Sequence, residues 1–218
     1  TMVFAHKTKD EAPTILLKAF AQAGHVPKIL RTDSAAEYCT PSIDRILLDR
    51  GIDKQYSNPY EQHGNAKAET MVHAIGKGIR CQLLAANGPP EFWAFAAINF
   101  IDVYNRLPHA SLGGKSPWEI EKKSTPNLSW FKPFGCRVTV YLGKDRVEHH
   151  KISPRGEPAV YLGLGFSKGM KGWLCYSPRL QRLFCTRNCI FDETFMPLRV
   201  HDQRIRSVRD PITRTQML

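Results

Sequence analysis

Two acidic residues, Asp33 and Glu69, stand at positions that could support chemistry. Asp33 directly follows residues 28–32, a run typical of a strand, and Glu69 falls in the first turn of a long helical pattern. Carboxylate oxygens are hard ligands of the kind that Mg²⁺ and Mn²⁺ prefer. Because 20 of the 218 residues are acidic, the spacing of 35 intervening residues decides little. Asp33 could equally be an ordinary carboxylate in a turn, and Glu69 an ordinary solvated carboxylate on a helix.

The elements around these carboxylates follow an α/β pattern. We expect three short strands, at Met2–Ala5 (the end of a strand), at 28–32 and at 52–57. Two helices should lie between them, one that stops at Gly24 and one from Thr40 to Gly51. After a loop at 58–64, a long helix is predicted whose apolar residues step by three and four and should face the core: Ala68, Val72, Ile75, Ile79 and Leu83. Residues 91–104 are apolar nearly all round and fit a buried helix.

From Phe134 onward the pattern changes to short runs rich in β-forming residues, separated by Gly, Pro and charged turns. The runs predict a small antiparallel barrel, with strands within 136–142, 159–164, 173–176 and 183–191. Residues 122–133 contain proline and are the expected linker. We therefore predict four parts: an α/β part at 1–121, the linker, a barrel at 134–198, and a disordered basic tail at 199–218.

Charge is distributed unevenly along the chain. Residues 1–129 hold 15 Lys or Arg against 13 Asp or Glu, whereas residues 130–218 hold 16 against 7, a net charge of +9. A basic module favours binding to a polyanion such as nucleic acid, because each neutralised phosphate releases counterions. Solubility or an acidic protein partner would also explain the positive charge. The sequence has no apolar run of 18 residues and no signal peptide, so we expect an intracellular protein without a membrane partner.

Several stretches resemble the integrases of Ty1/copia-type retrotransposons, and they occur in the order found in that family. The stretches around the two acids are LRTDSAAEY at 30–38 and NPYEQHGNAKAE at 58–69. The others lie at 89–120, 131–141, 161–178 and 189–193. Together they cover nearly everything from residue 3 to about residue 198.

The resemblance implies an RNase H-like partial core followed by a small SH3-like barrel. In that family three carboxylates hold two divalent ions, Mg²⁺ or Mn²⁺, during transfer of phosphodiester bonds. By this resemblance Asp33 and Glu69 would be the second and third acids and metal ligands. His73, Lys77 and Arg80 continue the face of Glu69 and would lie along bound DNA. The implied partners are double-stranded DNA, both element ends and target, and further copies of the chain; the implied location is the nucleus.

The chain departs from the family pattern at each acid. Ala35-Ala36 replaces a common pair of glycines, and Asn65-Ala66 replaces a common Asn-Gly pair. A second alignment register would place Lys67 where the acid belongs. We favour Glu69, because that register keeps the Ala-Glu pair and the 35-residue spacing.

The first catalytic Asp of the family is expected about sixty residues before the second, and only 32 residues precede Asp33. We therefore expect this chain to be inactive alone, although its intact parent would be a DDE-type polynucleotidyl transferase. A second hypothesis is a catalytically inactive DNA-binding remnant of a retrotransposon polyprotein, and a third is a decayed copy without a selected role.

Overall fold

The computed structural model describes residues 1–4, 8–33, 35–56, 66–143, 155–167 and 169–199. The chain forms two compact units, one of residues 2–74 and one of Thr1 with residues 75–218. No helix in the described ranges is long and apolar enough to cross a membrane. All six cysteines are free thiols.

The first unit is built on a strand, helix, strand sequence. Helix α1 spans Ala12–Ala23, strand β1 spans Ile29–Thr32, helix α2 spans Pro41–Leu48, and strand β2 spans Asp53–Tyr56. The two strands are parallel, and α2 connects them. The core consists of buried residues from α2 and the start of β2, with partly buried residues around them: Ile43, Leu47 and Ile52, then Ala12, Leu16, Phe20, Leu30 and Tyr38.

Local sequence signals account for most of these boundaries. Gly24 ends α1 in the left-handed conformation, φ 71°, which glycine adopts without steric cost. Thr40 and Pro41 begin α2, as the sequence predicts. The predicted strands at 28–32 and 52–57 are confirmed by β1 and β2. The strand predicted at Met2–Ala5 is wrong for residues 2–4, which pair with no described strand; Ala5 lies outside the described residues.

The long helix α3 spans Ala66–Ala86. Its apolar face packs against a core only in its second half, where Ile79 and Leu83 contact buried residues. Val72 is 68% exposed, so the prediction that it faces the core is wrong, and Ala68 is exposed as well. Periodicity gives the direction of an apolar face, but it does not say how far along the helix a packing partner extends.

The second unit combines two helices with one antiparallel sheet. Helix α4 spans Trp93–Tyr104, and helix α5 spans Pro117–Lys122. Five strands follow: β3 Arg137–Tyr141, β4 Gly156–Ser167, β5 Met170–Ser177, β6 Arg182–Thr186 and β7 Cys189–Asp192. Their order in the sheet is β6-β5-β4-β3-β7, and every neighbouring pair is antiparallel. This arrangement confirms the expected order of an α/β part followed by an antiparallel β module.

Both faces of this sheet are buried. Val160 and Leu162 of β4 pack with Phe92 and Phe95, whereas Tyr161 of the same strand packs into a second cluster. The second cluster lies within the module and contains Cys136, Val138, Val140, Leu142, Ala159, Cys175 and Phe184. Burial on both faces explains why β4 is apolar almost continuously instead of alternating.

Two details differ from the sequence prediction. The run predicted at 183–191 is two strands, because a turn at Arg187–Asn188 separates β6 from β7. Among the described strands, β6 and β7 are edges that do not pair with each other, so the expected barrel is an open sheet there.

The packing also divides the chain at a different place from the predicted linker. The buried helix α4 packs on β4, so residues 75–121 form one unit with the sheet. A helix that is apolar all round needs a partner on each side, and the outer face of the sheet supplies one. The predicted domain bounds stay a prediction. The loop predicted at 58–64 and the tail from residue 200 onward lie outside the described residues.

Candidate functional site

Asp33 is placed at the carboxyl end of β1. Parallel pairing with β2 fixes this strand end, and Thr32 is buried beneath it at 8% exposure. The Asp33 side chain is exposed, and its Oδ1 accepts a hydrogen bond of 3.4 Å from the Ala35 backbone N–H. This short turn keeps the carboxylate beside the strand end. The described residues form no ion pair with it.

A cavity of about 380 Å³ opens beside Asp33. One wall is apolar and consists of α1 and β1 side chains, namely Ala12, Ile15, Leu16, Ala19 and Leu30. The polar side includes Arg31, Asp33 and Glu37. Glu37 is a second carboxylate that the sequence analysis did not single out, although its position four residues after Asp33 could have indicated it.

The turn that carries Glu37 is fixed by a lysine from β2. Lys54 Nζ donates hydrogen bonds of 2.6 Å to the Tyr38 carbonyl oxygen and 2.6 Å to Asp44 Oδ1. Burial acts to lower the pKa of Lys54, but the bond to Asp44 and the neighbouring Tyr56 more than offset it and raise the pKa. A charged Lys54 therefore holds residues 36–38 against β2, which fixes one edge of the cavity.

The first turn of α3 reaches the same cavity through Ala68. Glu69 is exposed and is not among the lining residues. Because successive helical residues are about 100° apart, Lys67 and Glu69 flank Ala68 on opposite sides. The structure thus brings Asp33 and the start of α3 to one cavity, and the choice between Glu69 and Lys67 stays a prediction.

Oxygen donors suitable for Mg²⁺ or Mn²⁺ are present at this cavity, but they form an incomplete set. Within the described ranges, no three His, Cys, Asp or Glu side chains are grouped to hold a metal ion. The carboxylates of Asp33 and Glu69 are accessible and fit a divalent cation by their chemistry. A complete site requires further ligands.

The other predicted site residues lie on the exposed surface of α3. His73, Lys77 and Arg80 are all exposed, in agreement with a solvated stripe that continues from Glu69. Their contact with DNA stays a prediction.

The second unit contains a cluster of cations and aromatic rings that the sequence analysis missed. The Trp130 and Trp173 ring centroids are 4.7 Å apart, and Trp173 Nε1 donates a 2.8 Å hydrogen bond to the Trp130 carbonyl oxygen. Lys171 Nζ lies 4.8 Å and Arg187 Cζ 5.6 Å from the centroid of the Trp130 ring. The sequence shows the net charge of this region but not which charges meet.

Comparisons with known proteins find relatives among retroelement polyproteins. Residues 136–204 match the family model of the retroviral polymerase SH3-like domain. In Arabidopsis thaliana, the retrovirus-related Pol polyprotein from transposon RE1 is 28% identical over 148 residues, which are 67% of this chain and 10% of that protein. The corresponding polyprotein from transposon RE2 is 26% identical over 169 residues, 77% of this chain and 11% of that protein. The chain therefore spans about a tenth of the length of these relatives.

Two solved structures are also similar. The simian T-cell lymphotropic virus intasome in complex with PP2A regulatory subunit B56 gamma has 17% identity and a TM-score of 0.44, covering 77% of this chain and 62% of the other. The HTLV-2 integrase catalytic core domain in complex with magnesium has 19% identity and a TM-score of 0.41, covering 52% and 70%. The sequence matches confirm the resemblance to retrotransposon Pol polyproteins, and the assignment to the Ty1/copia type stays a prediction.

Proposed function

We propose that this chain is part of a retroelement integrase, which joins element DNA ends to target DNA in the nucleus. Residues 2–74 would carry two carboxylates of the metal site, and residues 130–218 would bind double-stranded DNA. The observation that carries the proposal is the meeting of Asp33 and the first turn of α3 at one cavity, although 35 residues separate Asp33 from Glu69. The relationship to Pol polyproteins supports it.

In this proposal Asp33 and Glu69 supply oxygen ligands to Mg²⁺ or Mn²⁺, of which the complete site would hold two. Such ions activate a water or a 3′-hydroxyl for in-line attack on a phosphodiester bond. The chain's own part would be to position both carboxylates: Asp33 at the β1 end with its turn, and Glu69 in the first turn of α3. The wall of the cavity on the side of α1 is apolar.

Metal binding by the full chain tests this assignment directly. We expect Asp33→Asn and Glu69→Gln each to lower the affinity for Mn²⁺, measured by titration calorimetry or by the paramagnetic resonance signal of free Mn²⁺. Glu91→Gln is the matched control, because Glu91 is an exposed carboxylate outside the first unit. If Glu37→Gln lowers the affinity and Glu69→Gln does not, the ligand pair is wrong.

DNA binding by the basic module is tested by its salt dependence. A net charge of +9 in residues 130–218 should make affinity for a duplex fall steeply between about 50 and 200 mM salt. Fluorescence anisotropy with labelled duplexes of two unrelated sequences measures both the slope and the expected lack of sequence preference. An affinity that hardly changes with salt would contradict this part of the proposal.

A second candidate function is DNA binding without catalysis. The observation that favours it is the lack of a three-ligand metal group within the described ranges. Tight duplex binding together with no measurable Mn²⁺ binding would favour this candidate over the integrase site.

A further inference from the structure

Two cysteines of the antiparallel sheet lie in one cluster although their strands are not neighbours. Cys175 of β5 is fully buried, and Cys189 of β7 is half-buried and packs against the same cluster. Strands β4 and β3 separate β5 from β7, so the two strands would be about 14 Å apart if the sheet were flat. A contact between their side chains therefore requires the sheet to curl.

An aromatic pair shows that the sheet does curl in this way. The ring centroids of Trp173 in β5 and Phe191 in β7 are 5.3 Å apart, at an angle of 70°. Trp173 lies two residues before Cys175, and Phe191 lies two residues after Cys189. Because side chains two residues apart in a strand share a face, each cysteine is on the same face as the neighbouring ring. The thiol pair therefore follows the ring pair between the same two strands.

The pKa values of the two thiols reflect a direct interaction. A hydrogen bond with Cys175 lowers the pKa of Cys189, and burial opposes this. The same hydrogen bond is the largest cause that raises the pKa of Cys175, and burial raises it further. Cys189 is therefore the better nucleophile of the two, since the thiolate is the form that attacks.

Cys185 is closer to Cys189 in sequence but lies in different surroundings. It is in β6, opposite Leu174 of β5, and it packs against the cluster on the other face of the sheet. Burial raises its pKa, in contrast to that of Cys189. Both cysteines are half-buried, so Cys185 is a matched control for Cys189.

We propose that Cys175 and Cys189 form a reversible disulfide when the chain meets an oxidant of the glutathione disulfide class. The Cys189 thiolate attacks one sulfur of glutathione disulfide, and a glutathione thiolate leaves. Cys175 then loses its proton, and its sulfur attacks the Cys189 sulfur of the mixed disulfide. The second glutathione leaves and takes up a proton. The two cysteines are oxidised, and one glutathione disulfide is reduced to two glutathione thiols.

The disulfide would join two strands that are not paired by backbone hydrogen bonds. Among the described strands, β7 pairs with β3 alone and is an edge. The new bond closes a loop of 15 residues, from 175 to 189, and holds this edge strand to β5. Such a bond stabilises a fold mainly by restricting the unfolded chain. It requires neither DNA nor a metal ion, so it goes beyond the proposed function.

Peptide mapping of the full chain tests the pairing directly. The chain is incubated with glutathione disulfide at neutral pH, free thiols are blocked, and the chain is digested with trypsin without reduction. Trypsin places Cys175 in peptide 172–179, Cys185 in peptide 183–187 and Cys189 in peptide 188–199. We expect peptides 172–179 and 188–199 to be linked, with a mass lower by two hydrogen atoms than the sum of the free peptides. Reduced glutathione should separate them.

The chain unfolded in urea is the control for geometry. Without the fold, the cost in loop entropy favours the closest pair in sequence, so peptides 183–187 and 188–199 should be linked most often. A change of partner between the folded and unfolded chains shows that the tertiary structure selects Cys175.

Two variants connect the bond to stability. Oxidation should raise the urea midpoint of the unmodified chain by about 1–3 M, as expected for a closed loop of this length. Cys185→Ala should keep this rise, whereas Cys189→Ala should lose it. The peptide map of the unmodified chain decides the pairing even if a variant folds poorly.

Three results would overturn the proposal. One is a folded chain that links Cys189 to Cys185 or to Cys136, whose peptide is 124–137. Another is a folded chain that carries glutathione on Cys189 without forming the internal bond. The third is a rise of the urea midpoint on oxidation that is equal in Cys189→Ala and in the unmodified chain.

Discussion

Replacing Gly78 with alanine tests how closely α3 approaches α4. An ideal Cβ at Gly78 would lie 2.2, 2.5 and 2.6 Å from three ring carbons of Phe100, whereas ordinary contact begins at 3.4 Å. Gly78 is buried in the same helix turn as exposed Lys77, a residue of the predicted DNA-facing stripe. The contact therefore sets the distance between α3 and α4 at this turn of the helix.

Gly76 provides a matched control two residues away. The nearest atom to its ideal Cβ is Arg80 Nη1 at 3.6 Å, an ordinary contact with the end of a flexible side chain. Alanine is better than glycine within a helix by about 1 kcal/mol. We therefore expect Gly76→Ala to raise the free energy of unfolding by up to about 1 kcal/mol.

The same helix-propensity gain applies at Gly78, but the overlap with Phe100 opposes it. Overpacking a core costs about 1–3 kcal/mol, and the short distances place this substitution in the upper part of that range. Gly78→Ala should therefore lower the free energy of unfolding by about 1–2 kcal/mol net. The two variants should differ by about 2–3 kcal/mol.

Urea unfolding followed by tryptophan fluorescence measures this difference, because all four tryptophans lie in the unit that contains both glycines. With a slope of about 1–3 kcal/mol per molar urea, the midpoints should be about 0.7–3 M apart. Phe100→Leu should reduce the cost of Gly78→Ala, because the smaller side chain leaves room for the new methyl group. If Gly78→Ala stabilises as much as Gly76→Ala, the close approach of the helices is wrong.

Three further predictions follow from the described contacts. Glu157→Gln should lower the free energy of unfolding by about 1.5–3 kcal/mol, because the buried Glu157 carboxylate, 1% exposed, loses its charge-assisted bonds to Arg179; urea unfolding checks this. The backbone N–H and then the hydroxyl of Ser116 hold the pKa of Glu119 below its usual 4.5, so this stabilisation is present above pH 4.5 and is lost as pH falls through the lowered pKa. The thermal midpoints of the unmodified chain and Glu119→Gln should therefore converge in acid. Val72→Ala should change the free energy of unfolding by less than about 0.5 kcal/mol, and a larger loss by circular dichroism would show that Val72 is covered.

The local order of elements could be read from the sequence because it depends on neighbouring residues. Thr40, Pro41 and Gly51 predict the start and end region of α2, and the apolar segment 91–104 predicts the buried helix α4. The basic character of residues 130–218 is likewise a property of composition alone. The candidate position of Asp33 beside a strand end follows from the same local pattern and agrees with the structure.

Tertiary packing decided which apolar residues of α3 are buried. Val72 and Ile79 share one periodic pattern, yet only Ile79 contacts a buried cluster. The pattern cannot distinguish them, because burial requires a second element at that height along the helix.

Only the tertiary structure decided which distant side chains meet. It placed Ala68 and Glu37 at the cavity of Asp33, and it brought Lys171 and Arg187 to the ring of Trp130. These residues come from separate elements, and strand pairing and turn geometry determine their distances. Periodicity records which face of an element is apolar, whereas a binding site depends on how several elements are packed together.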